Sequence, residues 1–137
     1  MRLLARLEGL AASLSVGRIA AERLTDARKL NADMREALAN FDPTRFGRLN
    51  QRFHEEICLH SGDEHLTELL HTEWTRLELV RRSAFWYAPG RAMKSITEHE
   101  TILTLIEGGA ESALIETAVR QHYLNTLEAV LSQEQES

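Results

Sequence analysis

The sequence predicts an all-α protein, an antiparallel bundle of about six helices. Apolar residues recur at three- and four-residue spacing through almost the whole chain, the period of a helix that buries one face. No stretch alternates with period two for long enough to form a strand. Gly, Pro and Asp or Asn clusters punctuate the pattern with short breaks, so connections are brief and successive helices run antiparallel.

The first helix spans Met1 to Ser15, with Leu3, Leu4, Leu7, Leu10, Ala11 and Leu14 on one side. No Ser, Thr, Asp or Asn precedes it as a cap, which reads as a chain entered partway. Gly17 breaks it, and a second helix carries Ile19, Ala20, Leu24, Ala27, Leu30, Met34 and Leu38. In the turn Asn40-Phe41-Asp42-Pro43, Asp42 can cap the third helix. Pro43 takes its first position, where a missing N–H costs nothing. The third helix runs from about Thr44 to His60. Ser61-Gly62-Asp63 then reads as a stop and restart, Gly62 taking the left-handed conformation and Asp63 capping the next helix.

The fourth helix is predicted to be long. Leu66, Leu69, Leu70, Trp74, Leu77, Val80 and Ala84 keep helical spacing to about Tyr87, before Pro89-Gly90 breaks it. A fifth helix begins at Arg91 or Ser95 and runs to Glu107, with Ile96, His99, Ile102, Leu103 and Ile106 on its apolar side. Ser95-Ile96-Thr97-Glu98 fits a capping box, which assigns Glu98 a helix-end hydrogen bond. Gly108-Gly109 ends that helix. The last runs from near Ala110 to about Leu131, leaving Gln133 to Ser137 as a frayed tail.

At 137 residues the chain is expected to be one domain over residues 1–137, able to bury a core without disulfides. Its single cysteine, Cys58, cannot form an internal disulfide. With no signal-peptide pattern, the expected location is the cytoplasm. Cys58 lies near an apolar face and reads as a small buried hydrophobe. No apolar run approaches the roughly 20 residues that span a bilayer, so no membrane partner is expected. A formal charge of -5 argues against DNA binding by this chain itself, because neutralising phosphates takes a concentrated Lys/Arg face.

No phosphate loop, nucleophile elbow, CxxC pair or HExxH sequence is present. The chemistry therefore rests on histidine. His60, His65 and His71 fall at helix ends or polar faces. His54, His99 and His122 fall on the apolar sides of three different helices, and Asn50 shares a face with His54. One inward histidine is ordinarily a core residue with a hydrogen-bond partner. Three on three inward faces, with an amide one turn away, point to a single site. Neutral imidazole is a common ligand of zinc and similar metals, and three of them leave positions open for water or a ligand. The three are far apart in sequence, so only the fold can bring them together.

Asn50 before Phe53-His54, the Ser61-Gly62-Asp63 turn, Glu98-His99 followed by Ile102, Gly108-Gly109 with Ala113, and His122 together resemble the FCD domain. That domain is the effector-binding half of many GntR-type transcription regulators, and the resemblance covers nearly the whole chain. It implies an FCD-like bundle holding a divalent metal, zinc first with nickel or manganese as alternatives. The ligands would be three histidines and an Asp on the helix of the Phe-His motif, with a small carboxylate effector at or beside the metal. Carried over, they are Asn50, His54, His99 and His122. The resemblance also implies a homodimeric sensor that does no chemistry.

Two departures have consequences. Asn50 stands where the family's pattern often has Asp; its carbonyl oxygen can coordinate but adds no negative charge, leaving the metal more positive and more attractive to an anion. The winged helix-turn-helix that reads DNA in such regulators is absent from this chain, so DNA is expected as a partner only through an N-terminal domain. On the fourth helix Arg81 falls close to the apolar stripe, Arg76 at its edge and Arg82 well outside. Arg81 is the first choice for a carboxylate clamp and Arg76 the second, by the fork geometry of guanidinium; a surface arginine paired with Glu78 or Glu73 is the plainer reading. Two other functions stay open. A metal-dependent hydrolase would need a general base, and Glu55 and Glu98 project away from their neighbouring histidines. A purely structural dimerisation bundle would bind neither metal nor carboxylate.

Overall fold

The computed structural model describes residues 2–80 and 89–136. Among them are no strand, further helix at 78–80, and six helices with described bounds: α1 Arg2–Ser15, α2 Ala21–Ala39, α3 Pro43–Cys58, α4 Glu64–Arg76, α5 Pro89–Glu107 and α6 Ser112–Glu136. Helix α1 packs on α6, α3 and α4, while α2 lies along α3 and α5, and α5 lies along α6. Two ion pairs, Arg45 with Glu36 at 3.4 Å and Arg23 with Glu56 at 3.5 Å, show that α2 and α3 run antiparallel. Asn31 bonded to the Ile96 carbonyl at 3.1 Å, and Arg28 paired with Glu107 at 2.7 Å, show the same for α2 and α5. Helices α3 and α5 are therefore parallel to each other and face one another across the interior. No helix among the described residues is long and apolar enough to cross a membrane.

The start and stop signals act as the residues dictate. Asp42 accepts from the Arg45 N–H at 3.1 Å and Asp63 from the Leu66 N–H at 3.0 Å, each satisfying an orphan donor in a first turn. Helix α5 ends in a left-handed residue, Gly109 at φ 69°, with Ala110 N–H returning to the Leu105 carbonyl at 3.0 Å. Helix α2 ends in the same paired pattern. Asp42 N–H reaches the Ala37 carbonyl at 2.9 Å and Phe41 N–H the Leu38 carbonyl at 3.2 Å, but the left-handed residue is Phe41, at φ 54° and 93% exposed.

Four expectations are corrected. The fourth helix does not run to Tyr87: α4 ends at Arg76, Leu77 caps it in a turn, and helix resumes at 78–80. Pro89 and Gly90 do not separate two helices but open α5, where proline is tolerated because a first-turn N–H has no helical acceptor. Ser95 is consequently interior and fully buried, and Glu98 is no capping residue. The leucine stripe of α1 is not its buried face: Leu3, Leu10 and Leu14 are exposed, while Leu4, Ala5, Glu8, Ala11, Ala12 and Ser15 face inward. The small residues explain this rotation. At Gly9 an added Cβ would lie 3.0 Å from the Glu116 carbonyl oxygen of α6, so α1 presses closely on α6 along its small-residue side.

Candidate metal centre

Three helices each bring one histidine to the same point, His54 from α3, His99 from α5 and His122 from α6, all buried. The Nε2 atoms of His99 and His122 lie 3.2 Å apart, those of His122 and His54 3.4 Å, and a set of three ligand nitrogens falls within 4.8 Å. Phe53, on the turn of α3 before His54, stacks flat on the His99 ring with centroids 3.9 Å apart, which fixes that ring's plane.

Each ring is held from behind. His54 Nδ1 meets Glu8 Oε1 of α1 at 2.8 Å, His99 Nδ1 meets Asn31 Oδ1 of α2 at 3.0 Å, and His122 Nδ1 meets Glu98 Oε1 of α5 at 2.6 Å. These partners decide the tautomers. Burial alone would raise the Glu8 carboxyl, but the His54 ring and hydrogen bonds from His54, Tyr123 and Trp74 hold it at about 2. It is ionised and can only accept. Burial likewise opposes ionisation of Glu98, yet hydrogen bonds from His122 and Arg91 hold it at about 2. Asn31 points its amide nitrogen at the Ile96 carbonyl, 3.1 Å, and at Glu100, 2.7 Å, so its oxygen is the atom turned to His99. All three Nδ1 atoms therefore carry hydrogen, and all three Nε2 atoms converge on one point.

His99 and His122 resist a second proton. Burial, with the charges of the other histidines and Arg91, pushes His99 well below the usual imidazole value, and burial outweighs the Glu98 contact to bring His122 down to about 4. At neutral pH neither of these two rings holds the extra proton. The facing lone pairs of neutral His99 and His122, 3.2 Å apart, are repulsive unless a cation lies between them. The 3.2 and 3.4 Å separations also suit one: with metal–nitrogen bonds of roughly 2.0–2.1 Å, tetrahedral ligand atoms lie about 3.3 Å apart. An octahedron of similar bond length would bring them to about 2.9 Å.

Asn50 sits one turn before His54, 5% exposed, and its Oδ1 is buried without a hydrogen-bond partner. It lines a cleft of about 450 Å³ between α3 and α4, with Arg48, Arg52, Glu55, Trp74 and Glu78. Asn50 and Trp74 are its buried residues and form the inner wall. Of the expected arginines, Arg76 stands at the surface, its side chain 62% exposed and paired with Glu73 at 2.9 Å. Arg81 and Arg82 lie outside the described residues. His65 and His71 are exposed and His60 partly so, and none of them joins the cluster.

Sequence reasoning missed four residues here. Glu8 is fully buried and also accepts from Trp74 Nε1 at 2.8 Å and from the Cys58 thiol at 3.2 Å; burial and the Glu8 charge keep that thiol protonated. Its signal was an acidic residue one turn from Leu4 and Ala11 on α1. Asn31 likewise stood between Leu30 and Met34. Arg91, 6% exposed, pairs with Glu98 through both terminal nitrogens, and Glu98 holds His122 and the Asn125 amide, the latter at 2.8 Å.

The model of the FCD domain matches residues 1–125. The chain belongs to the FCD domain family. No curated protein and no solved structure matches it. For this FCD domain the helical bundle and the three-histidine cluster, which can hold a metal ion, rest on different kinds of observation. Family membership comes from the whole sequence pattern, whereas the cluster comes from where three side chains meet.

Proposed function

We propose that this FCD domain is the effector-sensing part of a GntR-type transcription regulator. In this reading a divalent metal, zinc by preference, is held by His54, His99 and His122 with Asn50 as fourth ligand, and a small carboxylate metabolite binds at or beside it. The observation that carries the reading is the set of converging Nε2 atoms, each ring fixed by an acceptor at its Nδ1. The orphaned Asn50 Oδ1 adds an acceptor oxygen on the helix of His54. When bound, the metal supplies positive charge and an open coordination position for an anion. Glu8, Asn31 and Glu98 orient the rings, and Phe53 keeps His99 from turning.

The histidines and the groups behind them come from α1, α2, α3, α5 and α6, so a change at the centre is felt by helices that share no sequence neighbourhood. An effector with different affinities for two packings of these helices shifts their populations, and a DNA-binding domain joined to α1 would sense the shift. Homodimerisation and a cytoplasmic setting belong to this reading. A hydrolase gains no support: Glu8 and Glu98, the carboxylates bonded to the cluster, act on the Nδ1 side and neither is poised as a base.

Thermal melting of the untagged chain, with and without zinc, a chelator and a panel of mono-, di- and tricarboxylates, tests the proposal. Metal should raise the melting temperature and a cognate carboxylate should raise it further only in the metal's presence. Melting that ignores both would overturn it. With a winged helix-turn-helix fused before Met1, the cognate carboxylate should change operator affinity by about 1–3 kcal/mol.

A further inference from the structure

Two more buried polar groups lie without partners on α5. Ser95 Oγ, on a residue 0% exposed, and Arg91 Nε, on a residue 6% exposed, have no hydrogen bond. Both stand N-terminal to His99 on the helical turns leading to it, Ser95 by one turn and Arg91 by two. The Arg91 side chain runs along the helix to reach Glu98 and comes within 3.4 Å of His122 Nδ1, so it passes the level of Ser95 on its way. Because α3 and α5 are parallel, Asn50, one turn before His54, stands at the same level across the interior. Three of the four buried orphans among the described residues, all but Glu56 Oε2, are thus on one side of the histidines. A buried polar group without a partner costs about 1–3 kcal/mol, and groups of this kind cluster where a ligand completes them.

We infer that Arg91 and Ser95 form the subsite that receives the carboxylate of the effector beside the three histidines, with Arg91 Nε–H and Ser95 Oγ–H each donating to one of its oxygens. The inference rests on the metal-and-carboxylate reading above and names the residues that give it selectivity. The donors define the anion. Both terminal nitrogens of Arg91 are engaged by Glu98, so Nε is the one guanidinium nitrogen without a partner; its N–H and the Ser95 O–H make a pair matched to a planar two-oxygen anion. A phosphate would bring more acceptors than there are donors and set its second negative charge against Glu98. The Arg91–Glu98 pair is close to neutral, so the attraction for the anion comes from the metal and its direction from the two donors.

The test uses the full chain loaded with Co(II), whose visible absorption reports a change at the open coordination position, titrated in turn with acetate, citrate and inorganic phosphate. The unmodified chain should respond saturably to a carboxylate and bind phosphate at least tenfold more weakly. Ser95→Ala removes only the hydroxyl, and Arg91→Lys keeps a cation for Glu98 while removing Nε–H. Each should retain stoichiometric Co(II) and weaken the carboxylate roughly tenfold or more. Variants that bind metal and carboxylate as the unmodified chain does would overturn the subsite, whatever Arg81→Ala does. Phosphate binding as tight as carboxylate would overturn the ligand class. A Co(II)-loaded chain blind to every carboxylate would instead sink the effector reading, and the subsite with it. Should Arg91→Lys lose metal because His122 is no longer held, Ser95→Ala, which leaves the Arg91–Glu98 pair intact, decides.

Discussion

The Glu8 carboxylate accepts a 2.8 Å hydrogen bond from His54 Nδ1, joining α1 to the centre across 46 residues of chain. The same carboxylate takes the Trp74 indole N–H at 2.8 Å, so α1, α3 and α4 meet on one buried charge. Glu8→Gln keeps the shape but leaves one acceptor oxygen for several donors, and its amide N–H must then face another donor. The variant is expected to lose about 1–3 kcal/mol of stability and roughly 10–100-fold in metal affinity. Chemical denaturation and a competitive zinc titration check the two effects separately. Stability lost with metal affinity unchanged would mean that Glu8 bolts α1 in place without tuning His54.

Acid should destabilise the metal-free chain in two stages. In the unfolded chain the histidines take up protons near pH 6.5, whereas folded His122 does so only at about 4, and burial also pushes His99 well below the usual imidazole value. Between those values the unfolded state binds more protons, so stability is full above about 6.5 and falls as pH drops towards 4. Glu8 and Glu98, held at about 2, then contribute stability that is present above about 4.5 and lost below it. Melting temperatures recorded from pH 8 to pH 4 in a chelator should fall steadily below about 6.5. A flat profile between pH 7 and pH 5 would contradict the buried, neutral His99 and His122.

How much of this was legible in the sequence depends on what each residue type announces. His54, His99 and His122 could be picked out because a histidine on an apolar face is visible from helical spacing, and Asp42 and Asp63 because a cap is a local event. Glu8 and Asn31 were not seen: on a one-dimensional pattern a polar residue in an apolar stripe looks like a gap in the stripe. Only packing shows that such a gap faces another helix's Nδ1. Glu98 was misread for a related reason. Ser95-Ile96-Thr97-Glu98 satisfies the capping pattern, but Pro89 starts α5 earlier and turns those residues into its interior. The leucines of α1 misled in the opposite sense, since close approach to α6 selects the small-residue side rather than the most apolar one.

Phe41 pays a conformational cost for no packing return. At φ 54° it occupies the left-handed position that ends α2, and it is 93% exposed. Phe41→Gly should stabilise the fold by a few tenths to about 1 kcal/mol, the relief of left-handed strain less glycine's greater entropy in the unfolded chain. The urea midpoint measures it. A destabilised variant would show that the Phe41 ring makes a contact that its exposure hides.

Asn50→Asp should be tolerated and should tighten metal binding, because a carboxylate at the same helical position adds charge aimed at the cation. It should also weaken a carboxylate effector, whose attraction to the metal is partly cancelled. Isothermal titration with zinc, then with citrate, follows both. Weaker zinc binding by a folded Asp variant would remove Asn50 from the ligand set.

Elemental analysis tests the central claim most directly. The untagged chain and its His54→Ala/His99→Ala/His122→Ala variant should be equilibrated side by side with one equivalent of zinc and dialysed. The account predicts close to one zinc retained per unmodified chain and essentially none in the variant. Equal retention by both, or none by either, would contradict a metal centre built on these three histidines.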